Sequence, residues 1–381
     1  MTSASRLYLT MALLGVLAGA CGPVPTEPLA PITMQSNRLA VSAQGSCLVD
    51  ANGGVVCWGL GGPRRIELPV ATAKFVALDG GGSHFCGLTA DSTAYCWGTN
   101  RLGELGDGAR IRRDTPTRVL TDRKFVRISA GGYTTCAIDP AGKAFCWGDN
   151  ELGELGNGRG REGAFETIPV EVRTSQRFRD INTHGSTCGL TRGGRVFCWG
   201  TIGLHIGDIP IAPGDCKDNY WLLFRGRACA LPTPIKTNVR FAALAGRGCG
   251  LSESGEVYCP GVTGAVKQKG SVRFRSVTAG GHFCGLDDGG VAYCWGNNWR
   301  GQLGIGEHGS LGKPSFRDEP TPVLTGLRFQ AIVAESSHTC ALTADEQVWC
   351  WGENSSEQLG PGTGTPSGFS SVPVRVLLPP L

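Results

Sequence analysis

The segment Cys136-Ala137-Ile138-Asp139-Pro140-Ala141-Gly142-Lys143-Ala144-Phe145-Cys146-Trp147-Gly148-Asp149-Asn150-Glu151-Leu152-Gly153-Glu154-Leu155-Gly156 decides the architecture. Two short apolar runs, each holding a Cys, flank a turn rich in Asp, Pro and Gly, which reads as a β-hairpin. The two Cys stand ten residues apart. The same spacing recurs at Cys47 and Cys57, Cys86 and Cys96, Cys188 and Cys198, Cys249 and Cys259, Cys284 and Cys294, and Cys340 and Cys350. The first Cys of successive pairs are 39, 50, 52, 61, 35 and 56 residues apart, a mean period of about 49 that marks a repeat architecture.

Each unit reads alike. Phe125 to Gly132 supplies an apolar strand ending in small residues, and Cys136-Ala137-Ile138 a second strand. Phe145 to Gly148 gives a third and Pro169 to Val172 a fourth. Four short strands per unit without helical periodicity predict a propeller blade. Six residues after the first Cys stands Gly53, Gly142, Gly194, Gly255 or Gly290, while two units have Ser92 and Glu346. That hairpin position calls for positive φ.

The 381 residues hold 17 Cys, far more than a reduced cytosolic chain carries. Facing residues of paired strands lie ~4.5–5.5 Å apart, which suits cross-strand disulfides. Zinc sites favour much closer Cys pairs, so no metal is expected. Cys216 and Cys229, thirteen apart, form an eighth pair, and Cys21 is left over. Gly is 59 of 381, and Lys plus Arg exceed Asp plus Glu by only four, too weak a balance for a nucleic-acid surface.

Residues 1–20 read as a lipoprotein-type signal peptide. Leu7 to Ala18 is apolar but spans only ~18 Å as a helix, short of a ~30 Å hydrocarbon core. Leu17-Ala18-Gly19-Ala20-Cys21 resembles a bacterial lipobox, which makes Cys21 the expected lipidation site. Residues 21–37 then form a Pro-rich spacer. The expected location is the cell envelope, as an outer-membrane lipoprotein touching the membrane only through its lipid; plain secretion is the alternative.

Cys96-Trp97-Gly98-Thr99-Asn100-Arg101-Leu102-Gly103-Glu104-Leu105-Gly106 is similar to the signature of the regulator of chromosome condensation repeat family. Cys146 to Gly156 and Cys294 to Gly304 are similar too. The resemblance covers residues ~38–381 and implies a seven-bladed β-propeller of four-stranded antiparallel blades. It looks like an exported, disulfide-rich bacterial form. Units 1, 4, 5 and 7 depart from the motif: Cys259-Pro260-Gly261 loses the Trp, and unit 4 carries an insertion at ~203–234.

In such a blade the first and third connections share one end, and the third varies in length. Variable loops on a rigid scaffold are where recognition resides. Unit 5 is short between two long neighbours, which predicts a notch walled by residues ~203–234 and ~299–321. Tyr220, Trp221, Trp299 and Arg300 are the candidate binding residues, being favoured interface types. The competing expectation is that Trp221 and Phe224 form a small core for the insertion. His84, His282 and His338 recur two residues before a Cys and are read as structural hydrogen-bonding groups.

No phosphate loop, H-E-x-x-H, nucleophile elbow or EF-hand loop is present. No enzyme activity and no cofactor are expected. The expected function is an interaction module for a protein or envelope component. The alternatives are guanine-nucleotide exchange, which the family resemblance implies, and an envelope glycan-active enzyme, whose mark would be two carboxylates in the central opening.

Overall fold

The structure, a computed structural model, describes residues 37–59, 62–66, 74–202, 216–219, 226–261, 264–310, 315–362 and 368–378. The signal and spacer expected at residues 1–37 lie almost wholly outside them. The described residues hold strands and no helix.

Seven antiparallel sheets form the seven blades of a β-propeller, and in six of them the four strands lie in chain order. The first strands are Leu39–Ser42, Phe75–Gly80, Arg127–Gly131, Phe178–Asn182, Phe241–Gly246, Ser276–Ala279 and Phe329–Glu335. They pack side by side around the axis, and Leu39–Ser42 touches both Phe75–Gly80 and Phe329–Glu335. The ring therefore closes by packing blade 7 on blade 1, with no strand shared between them. Blade 4 has a fifth strand: Cys216–Asn219 pairs outside Gly226–Pro234, so part of the insertion extends the sheet edge.

Every blade carries one disulfide across the hairpin of its second and third strands, joining the seven pairs ten residues apart with Cα atoms at 4.1 Å. Cys216–Cys229 is the eighth. All seven hairpin residues have positive φ: Gly53, Gly142, Gly194, Gly255 and Gly290 lie at 73–85°, with Ser92 at 66° and Glu346 at 64°. Two blades thus hold a side-chain-bearing residue in a region that glycine enters without strain.

The core lies between blades. Leu105 and Val119 of blade 2 bury against Phe125 and Trp147 of blade 3. Leu155 and Val172 meet Phe178 and Trp199, Leu303 and Val323 meet Phe329 and Trp351, and Leu359 and Val376 meet Trp58 and Leu39. The Leu and second Gly of Gly-x-Leu-Gly are thus a plug that one blade presses onto the Trp of the next. Asn100, Asn150, Asn298 and Asn354 hold the plug by accepting the N–H of its Leu at 2.9–3.1 Å.

The three repeated His join neighbouring blades. His84 Nε2 meets Thr135 Oγ1 at 2.9 Å, His282 meets Thr339 at 2.6 Å, and His338 meets Ser46 Oγ at 3.1 Å. Each hydroxyl in turn donates to a plug carbonyl, of Glu104, Gln302 or Gln358. The ring Nε2 of each His is therefore the donor in its contact. Burial pushes their pKa values down, to about 4, 4 and 3.

Candidate functional site

The first and third connections of all blades meet at one end of the ring, here called the loop end; the disulfide hairpins turn at the other. Tyr133, in the first turn of blade 3, is 57% exposed. Trp299, in the blade 6 loop, is 45% exposed, and Phe316, at its far edge, 57%. Ile111 of the blade 2 loop is exposed as well. Aromatic side chains are among the residue types favoured at interfaces. Arg300 Nε bonds the Glu353 carboxylate of blade 7 at 2.8 Å, which ties the blade 6 loop to its neighbour.

Only two residues separate the third and fourth strands of blade 5, which pair at Gly261 and Gly264. Most of the unit 4 wall expected for the notch, and residues 311–314 of the unit 6 wall, lie outside the described residues. Tyr220 and Trp221, expected to wall it, lie outside the described residues, as does Cys21. The structure thus places Trp299 and Arg300 together on one loop.

A charged cluster that motif reading missed sits on the axis at the same end. Asp79 is the last residue but one of the inner strand of blade 2, His184 follows that of blade 4, and Glu335 ends that of blade 7. His184 Nε2 lies 3.0 Å from the Gly80 carbonyl, to which it donates, 3.6 Å from Glu335 and 3.9 Å from Asp79. Asn182 Nδ2 contacts His184 Nδ1 at 3.3 Å. Asp79 accepts from the Gly80 and Ala130 N–H groups, so both its oxygens hold backbone. Glu335 Oε2 is buried without a hydrogen-bond partner.

Burial raises the Asp79 and Glu335 carboxyls, with His184 offsetting part of the effect. Burial alone would lower His184, but the two carboxylates and the Gly80 carbonyl more than offset it, and its pKa is raised. The cluster is a clasp that joins blades 2, 4 and 7 over the mouth of an axial cavity of about 530 Å³. Asp79, Asn182 and His184 line one end of that cavity, and Arg275 and Glu346 the other. A sequence signal existed. His184 and Glu335 fall four and five residues before a repeat Cys, where other units place Gly82, Gly132 or Gly131. Among the described residues no three side chains are arranged to hold a metal ion.

Fold and seams define a disulfide-stapled, seven-bladed repeat propeller whose blades interlock through Gly-x-Leu-Gly plugs. The chain carries repeats of the regulator of chromosome condensation (RCC1) type: models of that repeat match residues 91–138 and 289–342, and 75–104, 125–154 and 330–358. It is 26% identical over 369 residues to the E3 ubiquitin-protein ligase HERC2 of Homo sapiens, covering 92% of this chain and 7% of that protein. A stretch of 83 residues, 22% of this chain, is 39% identical to 8% of the probable ligase HERC6 of Homo sapiens. The chain thus spans less than a tenth of these curated relatives. Among solved structures, the propeller ectodomain of the Arabidopsis thaliana receptor kinase ACR4 aligns with a TM-score of 0.53 at 19% identity, covering 90% of this chain and 98% of that one. Prp20p of Saccharomyces cerevisiae aligns at 0.50 and 19%, covering 89% and 76%. RCC1 propellers are mainly binding or exchange-factor modules.

Proposed function

We propose that this chain is an exported, lipid-anchored propeller that recognises a protein or envelope component through its loop end. The observation that carries the reading is the set of exposed aromatic side chains there, Tyr133, Trp299 and Phe316, on a scaffold cross-linked blade by blade. Sixteen of the 17 Cys are paired, which supports an oxidising compartment and leaves Cys21 for lipidation. Guanine-nucleotide exchange would require a cytosolic partner, and so many disulfides speak against that compartment. Catalysis finds little support in the axial carboxylates, because Asp79 is committed to backbone N–H groups.

The anchoring part is tested by fatty-acid labelling in an exporting bacterial host. Label should enter the chain and be lost in Cys21→Ser; a labelled Cys21→Ser chain would remove the anchor from the proposal. The recognition part is tested by capture from envelope extract, with loss of the partner expected for Trp299→Ala combined with Tyr133→Ala.

A further inference from the structure

Blade 5 leaves its neighbour's seat empty. Where a plug is present, the linker N–H groups of Leu120, Arg173 and Leu324 donate to the carbonyls of Gly106, Gly156 and Gly304 at 2.8–2.9 Å. The N–H groups of Gly108, Gly158 and Gly306 donate to the Thr167, Ala230 and Ser371 carbonyls on the fourth strand of the next blade at 2.9 Å. Trp147 and Trp58 donate Nε1 to the carbonyls of Glu104 and Gln358 at 2.9 and 3.1 Å. Leu105, Leu155, Leu303 and Leu359 are each 0% exposed in the seat.

Blade 5 has no Gly-x-Leu-Gly to offer Trp295 of blade 6. Gln268 takes the Val119 position: its N–H donates to the Val257 carbonyl as that of Val119 donates to Ala94. Trp295 is buried, and its Nε1 has no hydrogen-bond partner, as is also true of Trp199 and Trp351 in filled seats, so the vacancy is marked by the missing Leu and the remaining space. A cavity of about 170 Å³ remains, lined by Val257, Gln268, Lys269, Phe274, Trp295 and Pro320. At the blade 1 to blade 2 junction, which also lacks a plug, Ile66 fills the corresponding space at 4% exposure. Phe283 replaces the hydroxyl residue that elsewhere contacts the plug, and its ring stacks on Trp295 at 5.3 Å and 9°. It closes the inner half of the seat. The outer half, where the Leu and second Gly belong, stays open.

We propose that this seat between blades 5 and 6 takes a Leu-Gly turn from a partner protein. The partner's Leu enters the cavity over Phe274 and Trp295, as the chain's own Leu residues do at four other junctions. The groups that would receive its backbone are the Lys269 N–H and the Asp318 carbonyl. Asp318 corresponds to Thr167, because Gly296 pairs with Arg317 as Gly148 pairs with Glu166. Tyr133 and Trp299 do not line the seat, while Phe316 stands two residues before Asp318 on the same strand and borders it. The peptide test reads the seat through Trp295 alone, so its failure leaves the reading from Tyr133 and Trp299 standing.

The probe is a capped nonapeptide with the sequence of residues 100–108, added to the ¹⁵N-Trp-labelled chain, with the Trp295 indole resonance assigned through Trp295→Phe. The expected result is a saturable shift of that resonance up to ~5 mM peptide, absent for the peptide carrying Leu105→Asp. Filling the cavity with Gln268→Leu or Gln268→Trp, each checked for an unchanged melting transition, should weaken binding roughly tenfold or more. An unmoved Trp295 resonance overturns the proposal. So does an equal shift with the Asp peptide, or one that both filled variants retain.

Discussion

Arg38 and Glu346 are 308 positions apart in the chain, yet their side chains form a two-pronged ion pair at 2.6 and 2.8 Å. Arg38 enters blade 1 and Glu346 turns the hairpin of blade 7, so this contact lies on the seam of the ring. At the other six junctions the link is main-chain: the N–H of Phe75, Phe125, Phe178, Phe241, Phe274 or Phe329 donates at 2.8–3.0 Å to the carbonyl of the positive-φ residue of the preceding hairpin. Arg38 also donates to the Val49 carbonyl at 2.9–3.0 Å.

Arg38→Ala is therefore expected to cost more than Glu346→Ala. The pair is 29% and 47% exposed, and an exposed pair contributes under ~1 kcal/mol. Losing the bonds to Val49 adds about 1 kcal/mol more. Denaturant midpoints of the two variants would check the order; equal effects would assign the seam to the ion pair alone.

Ser92 sits at φ 66° in a turn that uses Gly in five other blades. Ser92→Gly should relieve ~1 kcal/mol of left-handed strain against a smaller entropic loss, and should raise the melting temperature slightly. Gly142→Ala, at φ 85°, should lower it by a comparable amount. Glu346→Gly should gain less than Ser92→Gly, because it also releases Arg38. A destabilising Ser92→Gly would refute this account of the turn.

Acid should weaken the seams. His84, His282 and His338 are buried and neutral, with pKa values lowered to about 4, 4 and 3. The unfolded chain binds protons near pH 6.5 while the folded chain does not, so stability is lost as pH falls from ~6.5 toward 4, on the order of 3 kcal/mol per His at full burial. Melting between pH 7 and 4.5 should steepen accordingly, and His282→Gln should flatten part of that slope while costing stability at pH 7.

Glu154 gives the opposite slope. Burial, partly offset by backbone N–H groups, pushes its carboxyl up to about 7. The folded state then holds a proton that the unfolded state has released, and this contribution is lost as pH rises from ~4.5 through 7. Gln302 and Gln358 fill the same place in blades 6 and 7, accepting from the Arg300 and Ser356 N–H groups at 2.7 Å. Glu154→Gln should leave the fold intact and raise stability at pH 8 more than at pH 5. A variant that is equally stable at both, relative to the parent, would contradict the raised pKa.

Much of this molecule was legible before any coordinates. The Cys spacing and the turn residues lead to a disulfide-bearing hairpin, because a hairpin leaves both marks within eleven residues. The period leads to the ring. The plug was visible as Gly-x-Leu-Gly, but its role was not: Leu105 meets Trp147 across a blade boundary, and sequence distance hides that. Cys216–Asn219 was expected within a variable loop and instead forms an added edge strand, since its pairing depends on Gly226–Pro234 folding back. The axial clasp was missed for a related reason. Asp79, His184 and Glu335 come from three non-adjacent blades, and only ring closure brings them together.

The most direct test of the central claim compares the two ends of the ring. Three baits would be drawn through envelope extract: the unaltered chain, a loop-end variant (Tyr133→Ala, Trp299→Ala, Phe316→Ala), and a hairpin-end variant (Lys143→Ala, Arg195→Ala, Asp288→Ala). The account predicts a partner that the unaltered and hairpin-end baits retain and the loop-end bait loses. A partner that stays on the loop-end variant, or leaves only the hairpin-end variant, would contradict recognition through the loop end.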